Sequence, residues 1–131
     1  MNRVLYIASF FPPSGGAGVQ RSLKFVKLLP SLGFQPTVLT GPVRAGRWTP
    51  QDDTLLREVP SDVSVVRAEP GQAAGEEGRI QAMLKSGEAI LRDEPHACLV
   101  VSMSPFPDAR IASELSARTG LPWIADLRDP W

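Results

Sequence analysis

Residues 11–18, Phe-Pro-Pro-Ser-Gly-Gly-Ala-Gly, decide the fold, because they stand between a short apolar run and an amphipathic helical pattern. The order strand, glycine loop, helix is typical of the first unit of a parallel α/β sheet. Gly15, Gly16 and Gly18 let backbone N–H groups approach a ligand closely. The helix that follows adds unpaired N–H groups and the positive end of its dipole. This corner predicts an anion site, most often one for phosphate.

The spacing of the glycines argues against the two best-known phosphate motifs. A dinucleotide-binding G-x-G-x-x-G that starts at Gly16 needs its third glycine where Arg21 stands. A Walker loop ends in Gly-Lys-Ser/Thr, whereas Val19 and Gln20 follow Gly18. NAD and nucleoside triphosphates are therefore not the expected ligands. A glycine loop that only makes a tight turn remains an alternative.

Length and composition predict one soluble domain. The 131 residues suit a single core, and 14 basic residues balance 14 acidic ones, so nucleic acid is not an expected partner. The only cysteine, Cys98, lies in an apolar run; we expect it to be buried, with no internal disulfide and no metal cluster. No stretch approaches the roughly 18 apolar residues of a membrane span, so we expect a cytoplasmic protein.

Apolar runs without strict alternation predict buried parallel strands. They lie at residues 4–9, 37–40, 63–67, 97–103 and 122–127. Helical spacing predicts helices between Val19 and Gly33, between Glu76 and Arg92, and between Pro107 and Gly120. This order predicts a Rossmann-like α/β fold, an open and mainly parallel sheet with helices on both faces. Residues 41–62 are expected to form a long surface loop with one helical turn near residues 55–56.

In such sheets, ligands bind at the carboxyl ends of the strands where the winding reverses, here expected between the first and fourth strands. The hydroxyls of Ser102 and Ser104 follow the fourth strand, as helix caps or as ligand contacts. Asp126, Arg128 and Asp129 follow the fifth strand. This charged cluster predicts either an ion pair with a helix cap or a set of ligand contacts.

Arg21 stands near the start of the first helix, where a cation opposes the dipole by roughly 0.3–1 kcal/mol unless an anion compensates it. Arg21 and Lys24 share a helix face, which indicates an anion contact or a solvated basic face. His96 precedes the fourth strand at its amino end, far from the expected crevice, so no catalytic role is expected for it.

Three stretches together resemble the amino-terminal domain of family-four retaining glycosyltransferases, GT-B enzymes with two facing Rossmann-like domains. They are residues 4–7 (VLYI), 11–21 (FPPSGGAGVQR) and 122–131 (PWIADLRDPW). The resemblance implies that residues 1–131 are the acceptor-side half of an enzyme that transfers a sugar from a nucleotide-sugar to an acceptor with retention. It also implies that Gly15, Gly16 and Gly18 contact the donor diphosphate, with Arg21 beside the same pocket.

This chain departs from the family pattern in two places. Many relatives carry a histidine after the fourth strand, whereas residues 104–107 are Ser-Pro-Phe-Pro, so no catalytic residue is assigned. The family's carboxyl-terminal domain, which holds the nucleotide-sugar, does not follow Trp131. We therefore expect a fragment whose partner is that missing domain, with no cofactor, and with the cluster at Asp126, Arg128 and Asp129 on the acceptor side.

Two roles are expected for the aromatic side chains of Phe10, Phe11 and Trp48. They contact a lipid-linked acceptor at a membrane surface, or they take part in ordinary packing. Two other function classes stay open. A stand-alone flavodoxin-like binding module usually has an acidic residue or a phosphoacceptor after the first strand, and residues 8–10 are Ala-Ser-Phe. A small phosphate-using enzyme complete at this length lacks a visible nucleophile–base pair.

Overall fold

A parallel β-sheet forms the centre of the molecule in the computed structural model, which describes residues 1–43, 50–71, 75–103 and 105–128. Its strands are Asn2–Ile7 (β1), Phe34–Thr40 (β2), Ser64–Arg67 (β3), Cys98–Met103 (β4) and Trp123–Leu127 (β5). They are ordered β3-β2-β1-β4-β5, and every pairing is parallel. The expected strands and their parallel direction are confirmed.

The connections between the strands contain the helices. These are Ala17–Leu28 (α1), which continues into a 3-10 helix at Leu29–Leu32, Asp53–Leu56 (α2), Gly75–Asp93 (α3) and Asp108–Thr119 (α4). Pro30 lies in the 3-10 segment, as expected for a proline that tightens the last turn. Gly33 and Gly120 end their helices at the predicted positions. No described helix is long and apolar enough to cross a membrane.

Two apolar cores lie on opposite faces of the sheet, which confirms helices on both faces. The larger core packs α3 and α4 against the sheet; its members include Leu5, Ile7, Leu39, Ile80, Met83, Leu84, Leu99, Val101, Ile111 and Leu115. The smaller core packs α1 against β1 and β2 and includes Tyr6, Phe11, Val26, Val38 and Val63. Because α1 covers β1 and β2, Cys98 on β4 is only half-buried, contrary to the expectation of a buried thiol.

Residues 50–56 correct the expectation of a long surface loop. The predicted helical turn is present as α2, but its Leu55 is buried against Val19 and Leu23 of α1. Leu56, by contrast, is exposed. The second half of this connection is therefore part of the packed structure. Residues 44–49, which include Trp48, lie outside the described residues.

The position of the larger core gives a direct test of the packing. Leu115 is 0% exposed and Leu32 is 70% exposed. Leu115→Ala should lower the free energy of unfolding by about 3 kcal/mol, since it removes buried methyl groups and leaves a cavity. Leu32→Ala, the matched control, should change it by no more than about 0.5 kcal/mol. Urea denaturation of both variants measures the difference, and equal losses would contradict this core.

Candidate functional site

The winding of the chain reverses between β1 and β4. From β1 the chain proceeds through β2 to β3, then crosses back to β4, which pairs with the other side of β1. The helices α1 and α4 begin after the carboxyl ends of β1 and β4, so both N-termini lie at this edge of the sheet. This confirms that the winding reverses between β1 and β4, which is where ligands bind in sheets of this kind.

The N-termini of these two helices differ in charge. The first turn of α4 contains Asp108, whose side chain is fully buried. The first turn of α1 contains no acidic residue, and its N-cap, Gly16, makes no side-chain hydrogen bond. The protein therefore compensates the positive end of α4 with its own carboxylate, and none of the described residues does so for α1.

Asp108 belongs to a buried polar network that the sequence did not predict. Nη2 of Arg79 donates to Oδ1 of Asp108 at 2.7 Å, and Nη1 donates to the hydroxyl of Ser9 at 2.9 Å. The Ser9 hydroxyl in turn donates to Oδ2 of Asp108. This network joins the end of β1 to α3 and α4. The charge of Arg79 predicts a place on the polar face of α3 with Glu76, but Arg79 is buried, one helical turn before the buried Met83.

At each glycine of the loop, the backbone conformation or the neighbouring atoms disfavour a larger residue. Gly16 adopts φ 99°, a left-handed conformation that glycine tolerates best. A Cβ on Gly15 would lie 2.3 Å from the carbonyl oxygen of Pro50, and the Gly15 N–H donates to that oxygen at 2.7 Å. A Cβ on Gly18 would lie 3.1 Å from the guanidinium of Arg128. The Gly15 N–H is thus occupied, so the predicted diphosphate contact at Gly15 has no free donor in this structure.

Arg21 is compensated within the protein. Its guanidinium donates to both carboxylate oxygens of Asp126, each at 2.8 Å, and lies 5.3 Å from the centre of the Phe25 ring. The hydrogen bond to Asp126 is the largest cause that raises the pKa of Arg21. Of the expected alternatives for Asp126, the ion pair is therefore present. An external anion is not needed to balance Arg21.

Arg128 differs from Arg21 in its hydrogen-bond partners. Its Nη1 donates to the carbonyl oxygen of Gly18 at 2.7 Å, while its Nε is buried without a hydrogen-bond partner in the described residues. No carboxylate of the described residues lies within 4.0 Å of Arg128. Within the described residues, the guanidinium of Arg128 therefore has no carboxylate partner beside the positive end of α1, an arrangement that favours an anion.

Several expected contacts are displaced or undescribed. Ser104 and Asp129 lie outside the described residues. Of the two alternatives for Phe11, ordinary packing is the one present, because its side chain is buried in the core under α1. His96 lies at the amino end of β4, with Nδ1 2.8 Å from the carbonyl oxygen of Glu94, away from the crevice as expected. Among the described residues, no group of three His, Cys, Asp or Glu side chains is placed to hold a metal ion.

No protein-family model matches the chain, and no curated protein matches it. Its fold is similar to MurG from Acinetobacter baumannii (TM-score 0.65, 14% identity, 95% of this chain and 34% of MurG covered). It is also similar to UGT2 from Phytolacca americana complexed with UDP-2fluoro-glucose and pterostilbene (TM-score 0.63, 17% identity, 95% of this chain and 30% of UGT2 covered). A third similar structure is the carboxyl-terminal domain of a hydrogenase from Pyrococcus furiosus (TM-score 0.61, 14% identity, 96% of this chain and 91% of that domain covered).

These likenesses define the fold. The chain is an α/β protein with a Rossmann-like, all-parallel sheet that matches one half of a GT-B fold. It spans about a third of the length of the two glycosyltransferases and nearly all of the hydrogenase domain.

The buried network at the end of β1 gives a testable prediction. Arg79→Met leaves Asp108 buried and unpaired, and should lower the free energy of unfolding by about 3–5 kcal/mol. The double variant Arg79→Met, Asp108→Leu should recover most of that loss, because it removes both charges. Arg110→Met, which breaks the exposed pair with Glu77, is the control and should have a much smaller effect. Additive losses in the double variant, measured by urea denaturation, would contradict the network.

Proposed function

We propose that this chain is the acceptor-side, amino-terminal half of a GT-B glycosyltransferase. The complete enzyme transfers a sugar from a nucleotide-sugar donor to an acceptor with retention, as the resemblance of residues 11–21 and 122–131 implies. The partner of this half is a second Rossmann-like domain that holds the nucleotide. The free thiol of Cys98 suits a reducing cytoplasm.

The observation that carries the proposal is the positive charge at the start of α1. The first turn has no acidic residue, and Arg128 donates there to a backbone carbonyl with no carboxylate beside it in the described residues. The doubly charged diphosphate of a nucleotide-sugar supplies the missing negative charge. The likeness to MurG and to UGT2, which was solved with UDP-2fluoro-glucose, supports a glycosyltransferase context for this fold.

In the proposed reaction, the bond between the anomeric carbon and the diphosphate oxygen breaks, and the acceptor oxygen bonds to the same face of the sugar. The acceptor hydroxyl gives its proton to the departing diphosphate oxygen. Negative charge develops on the leaving diphosphate. The N–H groups of Gly16 and Gly18 and the guanidinium of Arg128 donate to it. Each well-aimed donor of this kind contributes about 3–4 kcal/mol to transition-state stabilisation. The acceptor binds on the side of β5, next to the Arg21–Asp126 pair.

A binding measurement on the 131-residue chain tests the diphosphate site. Pyrophosphate and UDP should bind weakly, with Kd about 1 mM, because half of the site is absent. Arg128→Gln should weaken this binding about tenfold, since it removes a charge-assisted hydrogen bond. Arg92→Gln is the matched control, because it removes the same charge from the exposed last turn of α3.

Calorimetric titration of the three proteins decides between the outcomes. Equal weakening by Arg128→Gln and Arg92→Gln would show that only net charge matters. Pyrophosphate binding that is insensitive to Arg128→Gln would remove Arg128 and the start of α1 from the site.

A stand-alone binding module is the second candidate, and one observation favours it. The chain covers 91% of the hydrogenase domain from Pyrococcus furiosus, a domain of similar size. A self-contained module should hold its own phosphate ligand with Kd in the micromolar range without a second domain. Affinity therefore separates the two functions: about millimolar for half of a site, micromolar for a complete one.

A further inference from the structure

Arg67 joins the carboxyl ends of neighbouring strands. It is the last residue of β3, and its Nη1 donates to the carbonyl oxygen of Gly41, directly after β2, at 3.0 Å. Its Nη2 donates to the carbonyl oxygen of Pro12 in the glycine loop that follows β1. One guanidinium therefore connects the end of β3 to the segments that leave β2 and β1.

This arginine is held at an energetic cost. Burial is the largest cause that lowers the pKa of Arg67, and the charge of Glu69 offsets it in part. Among the described residues, no carboxylate lies within 4.0 Å of the guanidinium. Desolvation of the charge is thus repaid chiefly by hydrogen bonds to two backbone carbonyl groups. These contacts indicate that Arg67 fixes the positions of the backbone carbonyl groups of Gly41 and Pro12.

The hydrogen bonds of Arg67 continue a set that holds one side of the glycine loop. The supporting segment, residues 50–52, adds two more bonds to the same side. The N–H of Asp52 donates to the carbonyl oxygen of Pro13 at 2.8 Å, and the carbonyl oxygen of Pro50 accepts from Gly15 at 2.7 Å. On the opposite side of the loop, the carbonyl oxygen of Gly18 accepts from Arg128, which directly follows β5. The loop is therefore held on the side of β2 and β3, and its opposite side faces the crevice between β1 and β4.

We propose that Arg67 is a positioning residue for the anion site at the start of α1. By holding the carbonyl group of Pro12 toward β3, it keeps a negatively polarised oxygen away from the anion and fixes the loop in its binding conformation. Such preorganisation lowers the cost of ordering the loop when the ligand binds. This inference rests on the proposed diphosphate site, and Arg67 acts through the backbone without touching the ligand.

Two substitutions separate positioning from direct charge. Arg67→Lys keeps the charge but replaces the planar fork that reaches two carbonyl groups at once, and Arg67→Gln removes the charge as well. Both should weaken pyrophosphate binding by a similar factor, about tenfold. Arg57→Gln, at an exposed position after α2, is the control and should leave the affinity unchanged. Full affinity in Arg67→Lys with loss in Arg67→Gln would overturn the proposal, because charge alone would then suffice.

Amide hydrogen exchange provides a readout that is independent of the ligand. In Arg67→Lys, the Gly15 N–H should exchange about tenfold faster, because the loop loses its support, while amides in α4 keep their protection. Unchanged exchange at Gly15 would overturn the positioning role. If the native chain binds no pyrophosphate, the proposed function fails, and the exchange result still decides what Arg67 does. If Arg67→Gln does not fold, Arg67→Lys alone supplies both measurements.

Discussion

The positive end of α1 is the feature on which the rest of the carboxyl edge depends. Helix N-termini attract negative charge, and proteins usually supply it with an acidic residue or a side-chain cap. At the start of α4, on the same edge, the chain does so with Asp108, in a buried network with Arg79 and Ser9. At α1 it places Gly16 and Arg128 instead. The start of α4 thus contains a carboxylate of the protein, whereas the first turn of α1 contains none.

Arginine side chains organise this edge in two different ways. Arg79 and Arg21 each hold a carboxylate, so their charges are balanced within the protein. Arg67 and Arg128 donate to backbone carbonyl groups on either side of the glycine loop, and the described residues place no carboxylate within 4.0 Å of them. The first pair fixes how the elements pack. The second pair shapes the loop and leaves positive charge beside it.

Much of the fold follows from the amino-acid pattern because its signals are local. Apolar runs predicted the strands, and Gly33 and Gly120 predicted where helices end. The contacts that define the site are not local, since Arg67 and Pro12 are 55 residues apart, and Arg128 and Gly18 are 110 apart. The role of Arg67 was missed because it ends an apolar strand, although a charged residue at a carboxyl strand end is a usable signal. The docking of Leu55 on α1 depends on tertiary packing that its proline-rich surroundings do not reveal.

The most direct test of the anion site at the start of α1 is a map of amide and guanidinium NMR shifts in the 131-residue chain as pyrophosphate is added. The largest shifts should fall on the N–H groups of Gly16 and Gly18 and on the guanidinium N–H groups of Arg128, with the Gly15 N–H nearly unchanged because it donates to Pro50. Shifts that cluster instead at the amino edge of the sheet, around Arg3 and Thr37, or that follow exposed lysines without preference, would contradict it.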